Sequence, residues 1–542
     1  MTDVLLVGAG PVGLTLAAEL ARHGIKPRLV EKRTEASPWC RAIGVTPRTL
    51  EVWEDMGVVR PMIDAGLWLT GMRTIVAGGP QFDRAEDFPM LPYEELGLPQ
   101  YETERILERH LRGLGATVER GVELASLLQD AQGVEARLRH VDGSEETLRC
   151  GYVIGCDGAH STVRRQMDIA FEGDAFPMMF MLGDVHIEWD LPRGYALRAL
   201  RLHEDAAPDM FIAIPLPEEK RYRVSMLAPG DLAADAASSS DHGIQSERPG
   251  PELHHIQAIA DDLLPERPTL SDLRWSSTFR ISMRLAETYR RGRVFLAGDA
   301  AHIHPPTGGQ GMNTGIQDAY NLAWKLALVL RGVAPASLLD SYEAERRPVG
   351  QEVIERTIAA SISYGREKPQ QEDPLVNTQV LVSYPDSPLA RDDAPTLAGR
   401  VPRPGDRAPD AAGLRRARQN FPIRWLDVLR GTEHVLLLHA PDTASDLQAQ
   451  AEAAAALAAG CSLPLRVVVV TGVGNYLPEY PGYASYQDAA GTFTKAYGAQ
   501  ASAFLIRPDG HLAWRGPSAD HPGLAQFLKE RLSVLDGSGP LI

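Results

Sequence analysis

Residues 293–330 read RVFLAGDAAHIHPPTGGQGMNTGIQDAYNLAWKLALVL. Residues 294–297 are apolar and strand-like; the chain then breaks at Gly298-Asp299, runs through Pro305-Pro306 and a glycine cluster, and enters a long periodic helix. An acid at a strand end, followed by a polar glycine-rich turn and a helix start, forms a cradle for a phosphorylated and hydroxylated ligand, because unpaired backbone N–H groups converge there.

A second cradle opens the chain. Residues 4–7 are a continuous apolar run, suited to a parallel strand covered on both faces. Gly8-Ala9-Gly10-Pro11-Val12-Gly13 follows at once, then a helix to about residue 23, then a strand ending on Glu31-Lys32. Gly8 serves the tight turn, Gly10 the approach of a pyrophosphate, Gly13 the close helix packing, and the Glu31 carboxylate accepts ribose hydroxyls. A carboxylate there favours adenosine without a 2′-phosphate. A third short strand, residues 152–156, ends on Asp157-Gly158, with Arg164 positioned to pair with Asp157 or to share a pyrophosphate. Two cradles in one chain imply a dinucleotide held at both ends.

Length and charge bound the alternatives. At roughly 150 residues per domain, 542 residues make about three units. The net charge of −16 argues against nucleic acid and against an anionic membrane surface. Four cysteines, at 40, 150, 156 and 461, form no CxxC pair and have no metal-ligand spacing, so the chain reads as reduced and cytoplasmic. No apolar run is long enough for a membrane span, and Met1-Thr2-Asp3 leads directly into a strand without room for a signal peptide.

Between the cradles, Arg41 stands among small and apolar residues, a poor setting for a solvated arginine; it is expected to point at phosphate, a ring edge or substrate in preference to forming a structural salt bridge. Gln100 precedes a helix over residues 102–114, and residues 118–148 read as a meander. Period-two patterning over residues 171–285, with a contribution near 74–100, predicts an antiparallel substrate sheet bearing Tyr195, Arg201, His203 and Tyr222. The Met- and Phe-rich stretch 176–181, with Met210, suits either a flat aromatic ligand or plain core. Residues 233–251 read as a loop. Residues 337–363 read as one helix, whose run Glu343-Ala344-Glu345-Arg346-Arg347 is expected to be a solvated face. A Pro- and Asp-rich linker, residues 368–405, precedes a separate small α/β unit. His302 and His304 lack a third ligand, so no metal is expected.

In this order, the Gly8-to-Glu31 unit, Cys156-Asp157-Gly158 with Arg164, and Gly298-Asp299 with residues 305–313 resemble the single-component FAD-dependent aromatic hydroxylases. The family is that of para-hydroxybenzoate hydroxylase, and the likeness is to its phenol, 3-hydroxyphenylpropionate and aromatic-polyketide branch. The resemblance implies an α/β fold: a Rossmann-like FAD-binding domain with an inserted antiparallel-sheet substrate domain, intertwined over residues 1–395. It also implies a thioredoxin-like domain over 396–542, without CxxC and suited to docking or subunit contact, as in a homodimer. Gly8, Gly10, Pro11, Gly13, Glu31 and Lys32 would hold the adenosine half of FAD; Arg41 and Gln100 the pyrophosphate or ribityl region. Asp157 would serve both FAD and the nicotinamide cofactor. Asp299 would take ribityl hydroxyls, with Pro306, Gly309, Gly311, Met312 and Asn313 along the isoalloxazine. Pro305 would face substrate, with Arg41, Tyr195 and Tyr222 as catalytic candidates. The implied reaction is NADH- or NADPH-driven, O2-dependent hydroxylation of a phenolic or polycyclic aromatic through a flavin C4a-hydroperoxide. Epoxidation, Baeyer–Villiger-type insertion or dechlorinating hydroxylation on the same scaffold is the alternative. A halogenase is disfavoured by the lack of WxWxIP, and a non-catalytic nucleotide-binding scaffold is the remaining reading.

Overall fold

A computed structural model of the chain describes residues 2–38, 40, 42–85, 87–203, 208–229, 243–244, 250–305, 309–362, 373–394, 401–419, 421–442, 446–475, 477–478 and 480–532. Arg41 and Pro306, and nearly all of residues 233–251, therefore lie outside the described residues.

The first sheet is the expected Rossmann-like layer. Its strands run Arg290–Arg291, Val294–Leu296, Glu145–Gly155, Thr2–Val7, Arg28–Glu31 and Val118–Arg120, and the four successive pairings from Val294–Leu296 to Val118–Arg120 are parallel. Val4, Leu5 and Leu6 are wholly buried, as a strand covered by helices on both faces must be. The first and last cradles are brought side by side because Thr2–Val7 and Val294–Leu296 both pair with Glu145–Gly155. The meander is present as Val122–Gln129 and Val134–His140, antiparallel to each other and to the start of Glu145–Gly155.

The second sheet has nine strands in the order Gly243–Ile244, Leu270–Ala286, Phe171–Ile187, Arg221–Leu227, Asp209–Pro215, Tyr195–Arg201, Gly71–Val76 and Gln81–Ala85, with His302–Ile303 added to Leu270–Ala286. The expected contribution near 74–100 divides. Gly71–Val76 and Gln81–Ala85 join this sheet, whereas Leu96–Gly97 belongs to a separate three-stranded sheet with Gly44–Val45 and Leu67–Trp68. One face of the large sheet is closed by the helix Leu253–Leu263, with Met181, Leu197, Ala199, Phe211, Ala213 and Val224 packed beneath it. The other face is only half closed: Met210, Ile212, Ser225 and Leu227 are intermediate in exposure.

The third sheet lies in the C-terminal unit, in the order Arg391–Asp392, Leu512–Gly516, Ser502–Ile506, His434–Ala440, Leu465–Thr471, Tyr483–Asp488 and Leu414–Arg416. Arg391–Asp392 pairs with Leu512–Gly516 ahead of the expected boundary at 396. Two long helices, Gly311–Leu330 and Asp340–Ile362, link the second cradle to this unit. The run 343–347 overturns the solvated-face expectation, since Glu345 and Arg346 are 2% and 0% exposed. Arg346 reaches Asp318 at 2.7 Å and Glu345 reaches Lys325 at 2.7 Å. Adjacent charges in a sequence look solvated, but these two face the buried side of their helix and find opposite charges on the next one.

Candidate active site

The N-terminal cradle is built as its glycines require. Gly8 has φ of +99°, and a Cβ there would lie 2.5 Å from the Cys156 carbonyl oxygen. A Cβ on Gly13 would lie 1.9 Å from the Gly8 carbonyl, so no side chain fits at either position. Around Gly10 the space is open, and Pro11 is the first residue of the helix, where its missing N–H leaves no bond unmade. Glu31 accepts from Ala9 N–H at 2.9 Å and from Arg33 N–H at 3.0 Å, which pins its carboxylate over the turn while each oxygen keeps a lone pair. Lys32 is exposed.

Asp157 caps the next short helix, taking Thr162 N–H at 2.7 Å and Val163 N–H at 3.2 Å on Oδ2. Its Oδ1 is buried without a partner, and burial raises its carboxyl. Its Cα lies 2.8 Å from where a Gly8 Cβ would stand, so the residue backs the cradle, and its Oδ1 lies 3.2 Å from where a Gly155 Cβ would stand. Arg164 does not pair with Asp157. Its guanidinium donates to the Ala159 carbonyl at 2.8 Å and the Ala300 carbonyl at 2.9 Å, tying the Asp157 turn to the Asp299 turn. Burial lowers Arg164 to about 10.

Asp299 is exposed at the centre of the 3₁₀ turn Gly298–Ala300. Gly298 has φ of +62° and lies against Val12, so the two cradles share a wall. Asn313 organises the flavin-side turn. Its amide donates to the Gly44 carbonyl at 2.9 Å and the Gly309 carbonyl at 2.7 Å, and its oxygen accepts Thr46 N–H at 3.1 Å. The helix Gly311–Leu330 begins beside these contacts, and its first-turn N–H groups, including those of Gly311 and Met312, have no partner within the helix. Beneath the turn, His304 donates Nδ1–H to the Pro305 carbonyl at 2.9 Å; Pro305 itself is buried. Burial lowers His304 to about 4, so it is neutral at pH 7.

Gln100 is engaged internally: its oxygen accepts Ala42 N–H at 3.1 Å and its amide donates to Glu104 at 2.7 Å. It braces the loop that carries position 41. Tyr195 and Tyr222 lie on the sheet face covered by Leu253–Leu263 and not on the half-closed one. Tyr222 is 5% exposed, in edge contact with Trp189, in the core under Leu253–Leu263. Tyr195 shares its face with Leu197 and Ala199 and packs over Gly71, where a Cβ would lie 2.7 Å from its ring. Arg201 and His203 make rim ion pairs with Asp262 and Asp209. Register decides all of this, because side chains alternate between sheet faces and one strand in isolation does not reveal which face is covered. The half-closed face instead carries Asp184 and Arg223, which sequence reading missed; alternation from a known covered face is the signal that would have found them.

These cradles fit a flavin dinucleotide: an open Gly10, an acid packed behind Gly8 with one carboxylate oxygen unpaired, an exposed acid on the second turn, and a helix N-terminus at the far end. The FAD binding domain family matches residues 1–357, and the family of aromatic-ring hydroxylase C-terminal domains matches 401–533. A flavin-dependent monooxygenase of Mycobacteroides abscessus is 35% identical over 80% of this chain and 88% of its own. Pentachlorophenol 4-monooxygenase of Sphingobium chlorophenolicum is 34% identical, over 83% and 81%. The solved aklavinone-11 hydroxylase ternary complex with FAD and aklavinone has a TM-score of 0.74 at 28% identity, covering 98% of this chain and 99% of that one. The chain belongs to the FAD-dependent aromatic-ring hydroxylase family of monooxygenases. Among the described residues no helix is long and apolar enough to cross a membrane.

Proposed function

We propose that the protein uses NADH or NADPH and dioxygen to hydroxylate a phenolic or polycyclic aromatic ring. The observation that carries this reading is the half-closed sheet face, apolar at Met210, Ile212 and Leu227, belonging to the sheet that His302–Ile303 joins just before the flavin-side turn. A flat ring suits such a wall. Bound FAD would supply the electron carriage from the nicotinamide and the activation of oxygen. Gly8, Gly10, Gly13, Glu31 and Asp157 would hold its adenosine and pyrophosphate portion, Asp299 its ribityl chain, and the N–H groups of residues 311–313 its ring carbonyl edge. With the cofactor bound, those N–H groups would stabilise negative charge at that edge. Pro305 borders the substrate side, and buried Phe180 and Phe279, with ring centroids 5.5 Å apart, help to exclude water.

Relatives that act on pentachlorophenol, rifampicin and anhydrotetracycline support an aromatic or polyketide substrate. We read the C-terminal unit as thioredoxin-like, on the parallel His434–Ala440 and Leu465–Thr471 pair flanked by antiparallel Ser502–Ile506 and Leu512–Gly516, and as a docking or subunit-contact element in a cytoplasmic homodimer. The decisive experiment follows oxygen uptake, peroxide and product together across a panel of mono- to tetracyclic phenols. Substrate-stimulated NAD(P)H oxidation coupled to hydroxylated product is expected. Peroxide alone across the panel would remove the hydroxylase reading.

A further inference from the structure

The half-closed sheet face carries a buried ion pair that neither the flavin cradle nor the core uses. Asp184 and Arg223 are register partners on adjacent strands, with Nε to Oδ1 at 2.5 Å and side chains 13% and 4% exposed. Trp275, register partner of Asp184 on its other side, sets its ring 4.7 Å from the guanidinium carbon. The Cys40 thiol, in the loop braced by Gln100, is in hydrogen-bonding contact with the same guanidinium. Ile214 is the neighbour of Arg223 on the next strand, and with Cys40, Ile43 and Leu216 it forms a small apolar cluster there.

Asp184 occupies only Nε. The terminal Nη2 is buried and has no hydrogen-bond partner. A guanidinium has donors and no acceptor and stays charged under all relevant conditions, so an unpaired terminal nitrogen in this setting calls for an acceptor oxygen. The carboxylate on Nε and the indole face hold the fork in one orientation, which leaves its outer edge as a fixed donor rather than a mobile charge. The same face offers half-buried apolar side chains, at Ile212 one register step away and at Leu227 two steps away. A ligand matched to this arrangement is a flat ring with an acidic oxygen at one edge.

We propose that Arg223, oriented by Asp184, is the subsite that receives the ionised phenol or enol oxygen of the substrate and so determines which ring edge is presented to the flavin. This rests on the hydroxylase reading and adds to it a recognition residue and a charge state for the substrate. Arg223 is a binding residue here, and Asp184 is a positioning residue acting through it.

The test uses the FAD-loaded enzyme and measures ligand binding by perturbation of the flavin spectrum across pH, with para-nitrophenol, a naphthol and their methyl ethers as probes. The wild type should bind each phenol at least tenfold more tightly than its ether, and the preference should grow as pH rises through the phenol's own ionisation. Arg223→Met should erase the preference while retaining FAD content and ether binding, and Arg223→Lys should recover part of it. Asp184→Asn keeps the shape and removes a negative charge beside the ligand oxygen, so phenolate binding should tighten at least threefold; a merely structural pair would not move in that direction. The proposal is overturned if the wild type shows no phenol preference, if Arg223→Met keeps the preference, or if Asp184→Asn weakens phenolate and ether binding alike. The hydroxylase reading fails by a different outcome: phenol preference intact, but only peroxide formed.

Discussion

Asp318 divides its carboxylate between Arg346 and the flavin-side turn. Oδ1 accepts from Arg346 Nε at 2.7 Å, while Oδ2 takes Gly298 N–H at 3.1 Å and His302 Nε2 at 2.7 Å. All three side chains are buried, and Gly298 immediately precedes Asp299. The helix Asp340–Ile362 thus holds the Gly298–Ala300 turn through one carboxylate. Burial works against ionisation of Asp318, but Arg346 and His302 outweigh it and hold the carboxyl below its ordinary range.

Asp318→Asn should therefore leave a buried guanidinium uncompensated and cost about 3–5 kcal/mol, the usual result of breaking such a pair. Denaturant unfolding measures the loss, and flavin content should fall with it because the Gly298 turn is released. A variant within about 0.5 kcal/mol of wild type would show that the carboxylate is not needed there.

The pH dependence has a definite sign. Burial opposes ionisation of Glu345, but Arg507 and Lys325 hold it at about 2 against a normal value of 4.5. A depressed acid contributes stability that is fully present above 4.5 and is lost as pH falls towards 2. Burial lowers His304 to about 4, below its normal 6.5, so the unfolded chain takes up its proton first and stability falls as pH drops from 6.5 to 4. Unfolding free energy measured between pH 7 and 4.5 should decline, and His304→Gln should make that slope shallower by one proton. An unchanged slope would mean that His304 is not held neutral.

Asp299→Ala should weaken FAD retention by about 10- to 100-fold, the range expected for losing charge-assisted hydrogen bonds. Fluorescence titration of apoprotein with FAD reads this directly. Full flavin occupancy at unchanged affinity would remove Asp299 from the ribityl site.

Tyr222→Phe should leave turnover and product distribution within about twofold of wild type, the latitude of a conservative core change. The side chain packs on Trp189 beneath Leu253–Leu263, away from the half-closed face. A large loss of coupling, with more peroxide per NAD(P)H, would return it to the active site.

The parts of the molecule that were legible in the sequence are those where chemistry demands a residue type. Gly8 and Gly13 tolerate no Cβ, Glu31 ends its strand, Asp157 stands two residues beyond the next, and Asp299 sits within a tight turn, so spacing alone reveals the Rossmann-like layer and both cradles. Which sheet face Tyr195, Tyr222, Asp184 and Arg223 occupy is not legible in the sequence, because face assignment depends on pairing between distant strands and on which face a helix covers. The buried Glu345 and Arg346 were missed for a related reason. A charged pair on one helix carries no mark of the opposite charges that Lys325, Arg507 and Asp318 supply from elsewhere.

Residues 507–509 form a turn that inserts between the two long helices. Arg507 binds Glu345 at 2.6 Å, Asp509 accepts from Trp324 at 3.1 Å, and the Asp509 and Pro508 carbonyls take Arg48 and the Tyr320 hydroxyl. The consequence concerns recombination. A chimera that joins this flavin domain to a relative's C-terminal half would strand buried charges on both sides of the seam unless Arg48, Lys325 and Glu345 travel with their partners. Natural or laboratory shuffling in this family should therefore cross over outside this knot of charge, and the exchangeable module is the C-terminal domain together with the helix faces it plugs.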